Sequence, residues 1–342
     1  MQDKINPRRS RRGSGAITLR DVAKLAGVAP ITASRAVNSP GQVSPEVLQK
    51  VMDAVQRTGY VPNRIAGGLA SSRSRLIAAI VPSMVMSVYM QMIEALNSSL
   101  FDSGYQLMLG QTGFSEERED QLLDAVIGRR PDGIFLTGIM HSSNGRSKLL
   151  ASGIPVLETW DLTPTPIDML IGFSHADIGS EVANFLMAKG RSRFAVVSAE
   201  DERASRRAAS FVTTVERRGC RPVAVANVGS SRSLKGGREA FLQLMKAAPD
   251  VDAIFCSSDL LALGIMTEAR AQGVTVPGQI AVMGFGDVPF LADMVPALST
   301  VRINGADIGQ QAARCLIDRA EGRQVVQHII DVGFAIVERA TT

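Results

Sequence analysis

Residues 17–70 read ITLRDVAKLAGVAPITASRAVNSPGQVSPEVLQKVMDAVQRTGYVPNRIAGGLA, and the spacing of caps, glycines and apolar residues in this stretch decides how the front of the chain folds. Thr18 stands before LRDVAKLA with Asp21 three residues on, the hydroxyl-to-acid spacing that satisfies exposed N–H groups at a helix start. Leu19, Val22, Ala23 and Ala26 then fall on one helical face, and Gly27 supplies the residue that tolerates a positive φ at the stop. A second short helix opens at Pro30 and closes near Asn38, because proline suits a first helical turn whose N–H would be orphaned anyway. A third begins after Ser44, with Pro45 first, Val47, Leu48, Val51 and Val55 at three- and four-residue spacing, and Gly59 as its end. Two short helices across a glycine turn make a helix-turn-helix, and the third closes a small core. Periodicity alone leaves open a helical domain with no nucleic-acid role.

Charge narrows the choice. The chain has 342 residues and a net charge of +4, long enough for two or three domains. Residues 1–75 hold 13 Lys or Arg against 4 Asp or Glu, whereas the remainder holds 24 against 29. A basic front on an acidic body fits a polyanion partner, since phosphate neutralisation drives the sequence-independent part of DNA affinity. A solubilising segment with no partner has the same composition. The opening MQDKINPRRSRRGSG is basic but leads into no apolar segment, so it does not read as a signal peptide, and no apolar run reaches membrane-helix length. A cytoplasmic location is expected. Cys220, Cys256 and Cys315 are few and far apart, as are His141, His175 and His328. They read as ordinary core or surface residues, with no metal site, disulfide framework or nucleophile–base pair, and no cofactor is expected.

TLxDVAxxAGV, TxSRxxN and GYxPNRxAxxLA together resemble the head of the LacI/GalR repressors. The resemblance implies that Pro30, Ile31, Thr32, Ser34 and Arg35 occupy a major-groove helix. Arg35 would read a guanine edge, because a guanidinium bonds O6 and N7 together. Thr18, Thr32, Ser34 and Asn38 would hold phosphates. Residues 63–70 resemble the family's hinge helix, with Asn63, Arg64, Ala66 and Leu69 toward DNA and Leu69 as a minor-groove wedge. Gly67 and Gly68 depart from the pattern, and each weakens a helix by about 1 kcal/mol relative to alanine. The expected organisation is a basic tail at 1–15, an all-α helix-turn-helix head at 16–62, a hinge helix and linker at 63–74, and an effector-binding core at 75–342.

From Leu76 onward, apolar strands alternate with helical stretches: LIAAIV, a helix over 91–102, YQLMLG, a helix from Ser115, then GIFLTG. The cycle restarts after residue 173 with RFAVVS, PVAVANV, DAIFC and IAVMGF, each followed by a helix or turn. Such alternation predicts an α/β core of two doubly wound parallel-sheet subdomains. The expected subdomains are about 75–172 with 302–328, and about 173–301 with 329–342. The pattern is similar to periplasmic-binding-protein-like cores, in which ligand sits beyond the carboxyl ends of the strands. VMGFGDV lacks the third glycine of a dinucleotide loop, and neither a P-loop nor a G-x-S-x-G elbow occurs, so no enzyme is expected.

Arg203 and Arg207 lie four apart on a predicted helix, hence on one face. They suit a carboxylate or phosphate ligand, or else pair with Glu200, Asp201 or Glu202 close by. The family's R-x-x-G-F pattern resembles Arg207 to Phe211, with Ser210 where glycine is usual. Ser258 and Asp259 resemble the family's cleft N-D pair, and Gly286 stands where an effector-binding aspartate is common, followed by Asp287. Ser231 lies near the place of a stacking aromatic, which a serine cannot replace. PVLETWDLTPTPIDMLIGFSHADIG, DER before Arg207 and DVGF near the end look like the LacI-type gluconate-operon repressors. That resemblance implies an effector site of Tyr89, Glu158, Trp160, Phe173, Arg203, Arg207, Ser258 and Asp287. It further implies a homodimeric repressor of sugar-acid utilisation genes, released from a palindromic double-stranded DNA operator by gluconate or a relative. No leucine-heptad extension precedes Thr342, so a dimer rather than a tetramer is expected. A sugar-acid binding protein for transport, a regulator of another sugar pathway and a corepressor effect of the ligand stay open.

Overall fold

The Thr18 backbone N–H and hydroxyl both donate to the Asp21 carboxylate, at 2.8 and 2.6 Å, which fixes the start of α1 (Leu19–Ala26). These bonds hold Asp21 below the ordinary aspartate value, with its charge at the positive end of the helix dipole. Gly27 ends the helix at φ +66. α2 (Pro30–Asn38) follows with Pro30 at its first turn. The Ser44 hydroxyl caps α3 (Pro45–Thr58) by accepting from the Val47 N–H. Val22, Ala23, Ala33, Ala36, Val51 and Ala54 form the core between the three helices. Four of those six are alanines, so the helices approach closely around a small apolar volume.

The computed structural model describes residues 17–61, 73–83, 87–113, 115–140, 142–220, 223–229 and 232–342. The basic tail, the hinge positions Asn63, Arg64, Ala66, Gly67, Gly68 and Leu69, and also His141 and Ser231, lie outside the described residues. The chain divides into one unit up to Ser74 and a second from Arg75 to Thr342.

The second unit contains two six-stranded sheets. In the first, β2 (Gln106–Gln111), β1 (Leu76–Val81), β3 (Gly133–Thr137), β4 (Val156–Thr159), β5 (Met169–Gly172) and β11 (Ile329–Asp331) lie side by side, all parallel. The second runs β7 (Ala224–Asn227), β6 (Phe194–Ser198), β8 (Ala253–Cys256), β9 (Ala281–Phe285) and β10 (Ser299–Arg302) in parallel, with β12 (Ala335–Val337) antiparallel at its edge. β4, β5, β8 and β9 are buried along their whole length, as expected of parallel strands covered on both faces. Each large apolar side chain buried there contributes about 1.5–3 kcal/mol.

α4 (Met90–Asp102), α5 (Glu116–Ile127), α6 (Ser143–Ser152) and α11 (Gly305–Ala320) pack with the first sheet. α7 (His175–Ala188), α8 (Glu202–Arg217), α9 (Leu234–Ala247) and α10 (Asp259–Ala271) belong to the second. The backbone crosses between subdomains after β5, after β10 and after β11. The last return therefore follows Asp331, not residue 328, because Ile329 to Asp331 pairs in register with Leu170 to Gly172 of β5. A strand of three residues carries too little alternation for a sequence reading to assign it to a sheet.

One close contact seats α8 against α7. A Cβ on Gly179 of α7 would stand 2.2 Å from the Arg207 carbonyl oxygen of α8. Only glycine allows that approach, which brings Arg207 against the first residue of α7.

Candidate functional site

On the first unit, α2 exposes Pro30, Ile31, Arg35 and Asn38, while Thr32 and Ser34 are half-buried. The Asn38 amide donates to the Ser34 hydroxyl at 3.3 Å. Ile31 is 63% exposed, and beside an exposed arginine it makes this face amphipathic rather than merely solvated. Thr18 is exposed, although its hydroxyl is engaged by Asp21.

In the second unit a pocket opens between the two subdomains at the carboxyl ends of the strands. Its polar lining includes Arg203, Arg207, Arg232, Asp201, Ser258 and Asp259, and its apolar wall includes Tyr89, Trp160 and Phe285. The Trp160 ring packs edge-on against Tyr89 and Phe173, with centroids 4.9 and 5.3 Å away. Trp160 has φ +68, a conformation that costs a bulky residue about 1–2 kcal/mol. Such strain persists where the surroundings dictate it, often at ligand clamps.

Arg207 is 4% exposed. It donates to the Ser257 carbonyl at 3.1 Å, lies 2.8 Å from His175 Nδ1, and stacks its guanidinium 3.9 Å above the Phe285 ring centre. All three partners are neutral, and its Nε has no hydrogen-bond partner. Burial pushes Arg207 down to about 10. Arg203 reaches across the cleft to the Tyr89 hydroxyl at 3.3 Å, and its Nη1 is buried without a partner.

The acidic neighbours are engaged elsewhere. Asp201 accepts from the Ala204 N–H at 3.0 Å and from Arg232 at 2.5 Å. Burial works to raise it, but these bonds outweigh burial and hold it below the usual aspartate value. Arg206 pairs with Asp161 and, at 3.7 Å, with Glu202. Among the described residues neither Arg203 nor Arg207 has an ion-pair partner. Nearby acids therefore act on them only at longer range: the charge of Asp201 works to raise both arginines, and that of Asp161 to raise Arg203, without a direct ion pair. Asp259 accepts from Thr300 at 2.6 Å and from the Val288 N–H at 3.0 Å, yet burial raises it to about 6.

Tyr89, Trp160, Arg203, Arg207 and Ser258 thus meet in one pocket. Glu158, Phe173 and Asp287 do not line it. The Glu158 carboxylate is fully buried and accepts from the backbone N–H groups of Met140 and Ile167. Phe173 sits behind Trp160, between it and the His175 and Phe285 rings. Asp287 pairs with Arg302 and, at 2.7 Å, with Arg339, because φ +55 at this residue turns it out of the β9 direction. Gly286 leaves room in the pocket wall, since a Cβ there would stand 3.1 Å from Val88 and 3.3 Å from Asp259.

Sequence reasoning missed Arg232, Phe285 and His175. Arg232 falls just after Ser231, where the family places a stacking side chain, and that was the available signal. His175 carried none beyond lying in the quoted FSHADIG. Among the described residues no group of three His, Cys, Asp or Glu could hold a metal. No helix of the described residues is long and apolar enough to cross a membrane.

The profile described as "Bacterial regulatory proteins, lacI family" matches residues 18–63, and "Periplasmic binding protein-like domain" matches residues 183–342. Over 333 residues the chain is 36% identical to the HTH-type transcriptional regulator GntR of Pseudomonas aeruginosa, covering 97% of each chain. The chain belongs to the lacI family. Among solved structures, a transcriptional regulator of that family from Silicibacter pomeroyi has a TM-score of 0.89 at 32% identity, covering 95% of this chain and 99% of that one. The lac repressor dimer bound to operator and the anti-inducer ONPF has a TM-score of 0.82 at 25% identity, covering 96% and 99%. The two-unit architecture is that of a lacI-family DNA-binding transcriptional regulator. Its relatives in this family are transcriptional regulators rather than enzymes.

Proposed function

We propose that this lacI-family regulator represses genes of sugar-acid utilisation and leaves a two-fold operator when an aldonate of the gluconate type enters the cleft. One observation carries the reading: Arg207 is a buried cation whose protein partners are all neutral. A charge without a counter-ion in low dielectric is costly, and a ligand anion compensates it best. Arg203 Nη1 lies beside it, also unpartnered. Two guanidiniums suit a carboxylate better than the neutral face of a sugar.

Asp201 and Arg203 also border a second compartment of mixed character, lined by Thr112, Ser115, Thr137, Asp161 and Glu200 and by Ile80, Val81 and Ile139. The Thr137 hydroxyl is buried there without a partner. A linear polyhydroxy acid fills both compartments, its carboxylate at the arginines and its hydroxyls among the acceptors. The sequence resemblance to the LacI-type gluconate-operon repressors, carried by PVLETWDLTPTPIDMLIGFSHADIG and DVGF, supports this ligand class.

At the DNA end, Arg35 reads a guanine edge, Pro30 and Ile31 make apolar contacts, and Thr18, Thr32, Ser34 and Asn38 set register on the phosphates. Two copies bind a pseudo-palindromic operator in the cytoplasm. By the family resemblance, Asn63, Arg64, Ala66 and Leu69, which lie outside the described residues, contact the minor groove. Ligand shifts the equilibrium only as far as it prefers the DNA-free state.

The test is a thermal-shift and calorimetric screen of gluconate, ketogluconates, their phosphates and neutral hexoses. It is followed by operator anisotropy with each binder. Binding of an aldonate with loss of operator affinity is expected. Stabilisation by neutral sugars alone would overturn the anion reading, and tighter operator binding would make the ligand a corepressor.

A further inference from the structure

We infer that His175 is a positioning residue of the anion site: a neutral imidazole that aims Arg207 without cancelling its charge. The inference rests on the anion reading above and adds to it the reason why the charge stays available.

His175 is 2% exposed and is the first residue of α7, where the chain has just crossed from the first sheet. Its Nε2 lies 3.0 Å from the Trp160 carbonyl oxygen. A carbonyl only accepts, so Nε2 carries the ring proton and Nδ1 is left with a lone pair. That lone pair faces Arg207 Nη1 at 2.8 Å, and a guanidinium only donates. The two neighbours therefore impose one tautomer and one protonation state. Burial, followed by the Arg207 and Arg203 charges, pushes His175 down to about 2, so the ring is neutral throughout the physiological range.

The other arginines of this region show the alternative. Arg232 is held by Asp201 and Arg206 by Asp161. A carboxylate at position 175 would orient Arg207 equally well and would give the site its own counter-ion. Imidazole supplies the acceptor and withholds the charge. It also joins the subdomains, because Trp160 follows β4 of the first and Arg207 lies on α8 of the second.

The experiment compares His175→Asn with His175→Asp in the full chain. The two side chains have nearly the same shape; both can accept from Arg207, but the asparagine keeps an N–H donor for the Trp160 carbonyl, whereas the aspartate has only acceptors and a negative charge. Gluconate titration of wild type comes first, and failure there refutes the sugar-acid reading alone. The contrast is then read with sulfate as the probe anion. His175→Asn should stay within about 5-fold of wild-type affinity, since a neutral acceptor remains. His175→Asp should weaken anion binding by about 100-fold or more, because Arg207 becomes internally paired. Without ligand, His175→Asp should melt no lower than His175→Asn, a result that mere disruption of packing would not give. Equal anion affinity in the two variants, or an unliganded His175→Asp that melts well below His175→Asn, would overturn the inference.

Discussion

Replacing Arg207 by methionine removes the charge and keeps much of the side-chain length. Burial pushes Arg207 down to about 10, and at about 1.4 kcal/mol per pH unit the charged form is disfavoured by about 3 kcal/mol. Methionine relieves that cost. It also leaves His175 Nδ1 and the Ser257 carbonyl without the donor they have now, a loss of about 1–3 kcal/mol each. The two effects largely offset, so unliganded stability should change by between a gain of about 1 and a loss of about 3 kcal/mol, a shift of a few degrees in Tm. Ligand binding has no such offset. An anion deprived of a buried partner loses about 3–5 kcal/mol, or about 150- to 5,000-fold in Kd. Calorimetric titration with gluconate measures this loss. Anisotropy on an operator fragment selected from random duplexes measures DNA binding, which should be unchanged without ligand because the head has its own core. Unaltered gluconate affinity in Arg207→Met, or loss of more than about 4 kcal/mol of unliganded stability, would show that Arg207 is a structural residue.

The Asp259 carboxyl, raised by burial to about 6, loses its negative charge as pH falls from 7 to 5, so gluconate should bind several-fold tighter at pH 5.5 than at pH 8. His175 at about 2 and Asp201, held low, do not titrate in that window, and Asp259→Asn should flatten the profile. The folding contribution has the same sign. Stability from Asp259 is present below its unfolded value of 3.8 and is lost as pH rises through about 6, which pH-dependent melting will show. Arg206→Ala strips the buried Asp161 of its partner across the two subdomains and should cost about 3 kcal/mol of stability, while an unchanged melting curve would count against a structural role for the pair. Leu69→Ala should weaken operator binding far more than binding to random duplex, and equal losses would remove the wedge. Gly67→Ala combined with Gly68→Ala should tighten operator binding if the hinge folds as a helix on DNA, so weaker binding would contradict that.

What the sequence determined by itself is local or periodic. Thr18 with Asp21, Gly27, Pro30 and Ser44 act within a turn of their own backbone, and the structure shows each at the helix end where its chemistry belongs. The restart of strand and helix after residue 173 likewise made two wound halves legible, since each strand is an apolar run. The strands β4, β5, β10, β11 and β12 were not read, because three or four residues cannot display a period, and the equally short β7 and β8 were legible only as parts of the longer runs PVAVANV and DAIFC.

Partner choice across the fold was decided only by tertiary structure. Arg203, Arg206 and Arg207 stand within five residues beside Asp201 and Glu202, and nothing local says which charge each acid takes. Folding brings Arg232 to Asp201 from 31 residues away and Arg206 to Asp161 from 45. The remaining guanidiniums meet Tyr89 and His175, 114 and 32 residues distant. Glu158 and Asp287 were misplaced for the same reason: buried parallel strands are apolar on both faces, so sequence does not show which polar side chain turns toward the cleft and which is consumed by neighbouring backbone or arginine. The helix-turn-helix was readable because its interactions close within a few residues. The proposed anion site was legible only in part: spacing singled out Arg203 and Arg207, but that neither takes an ion-pair partner emerges only after every long-range pair has formed.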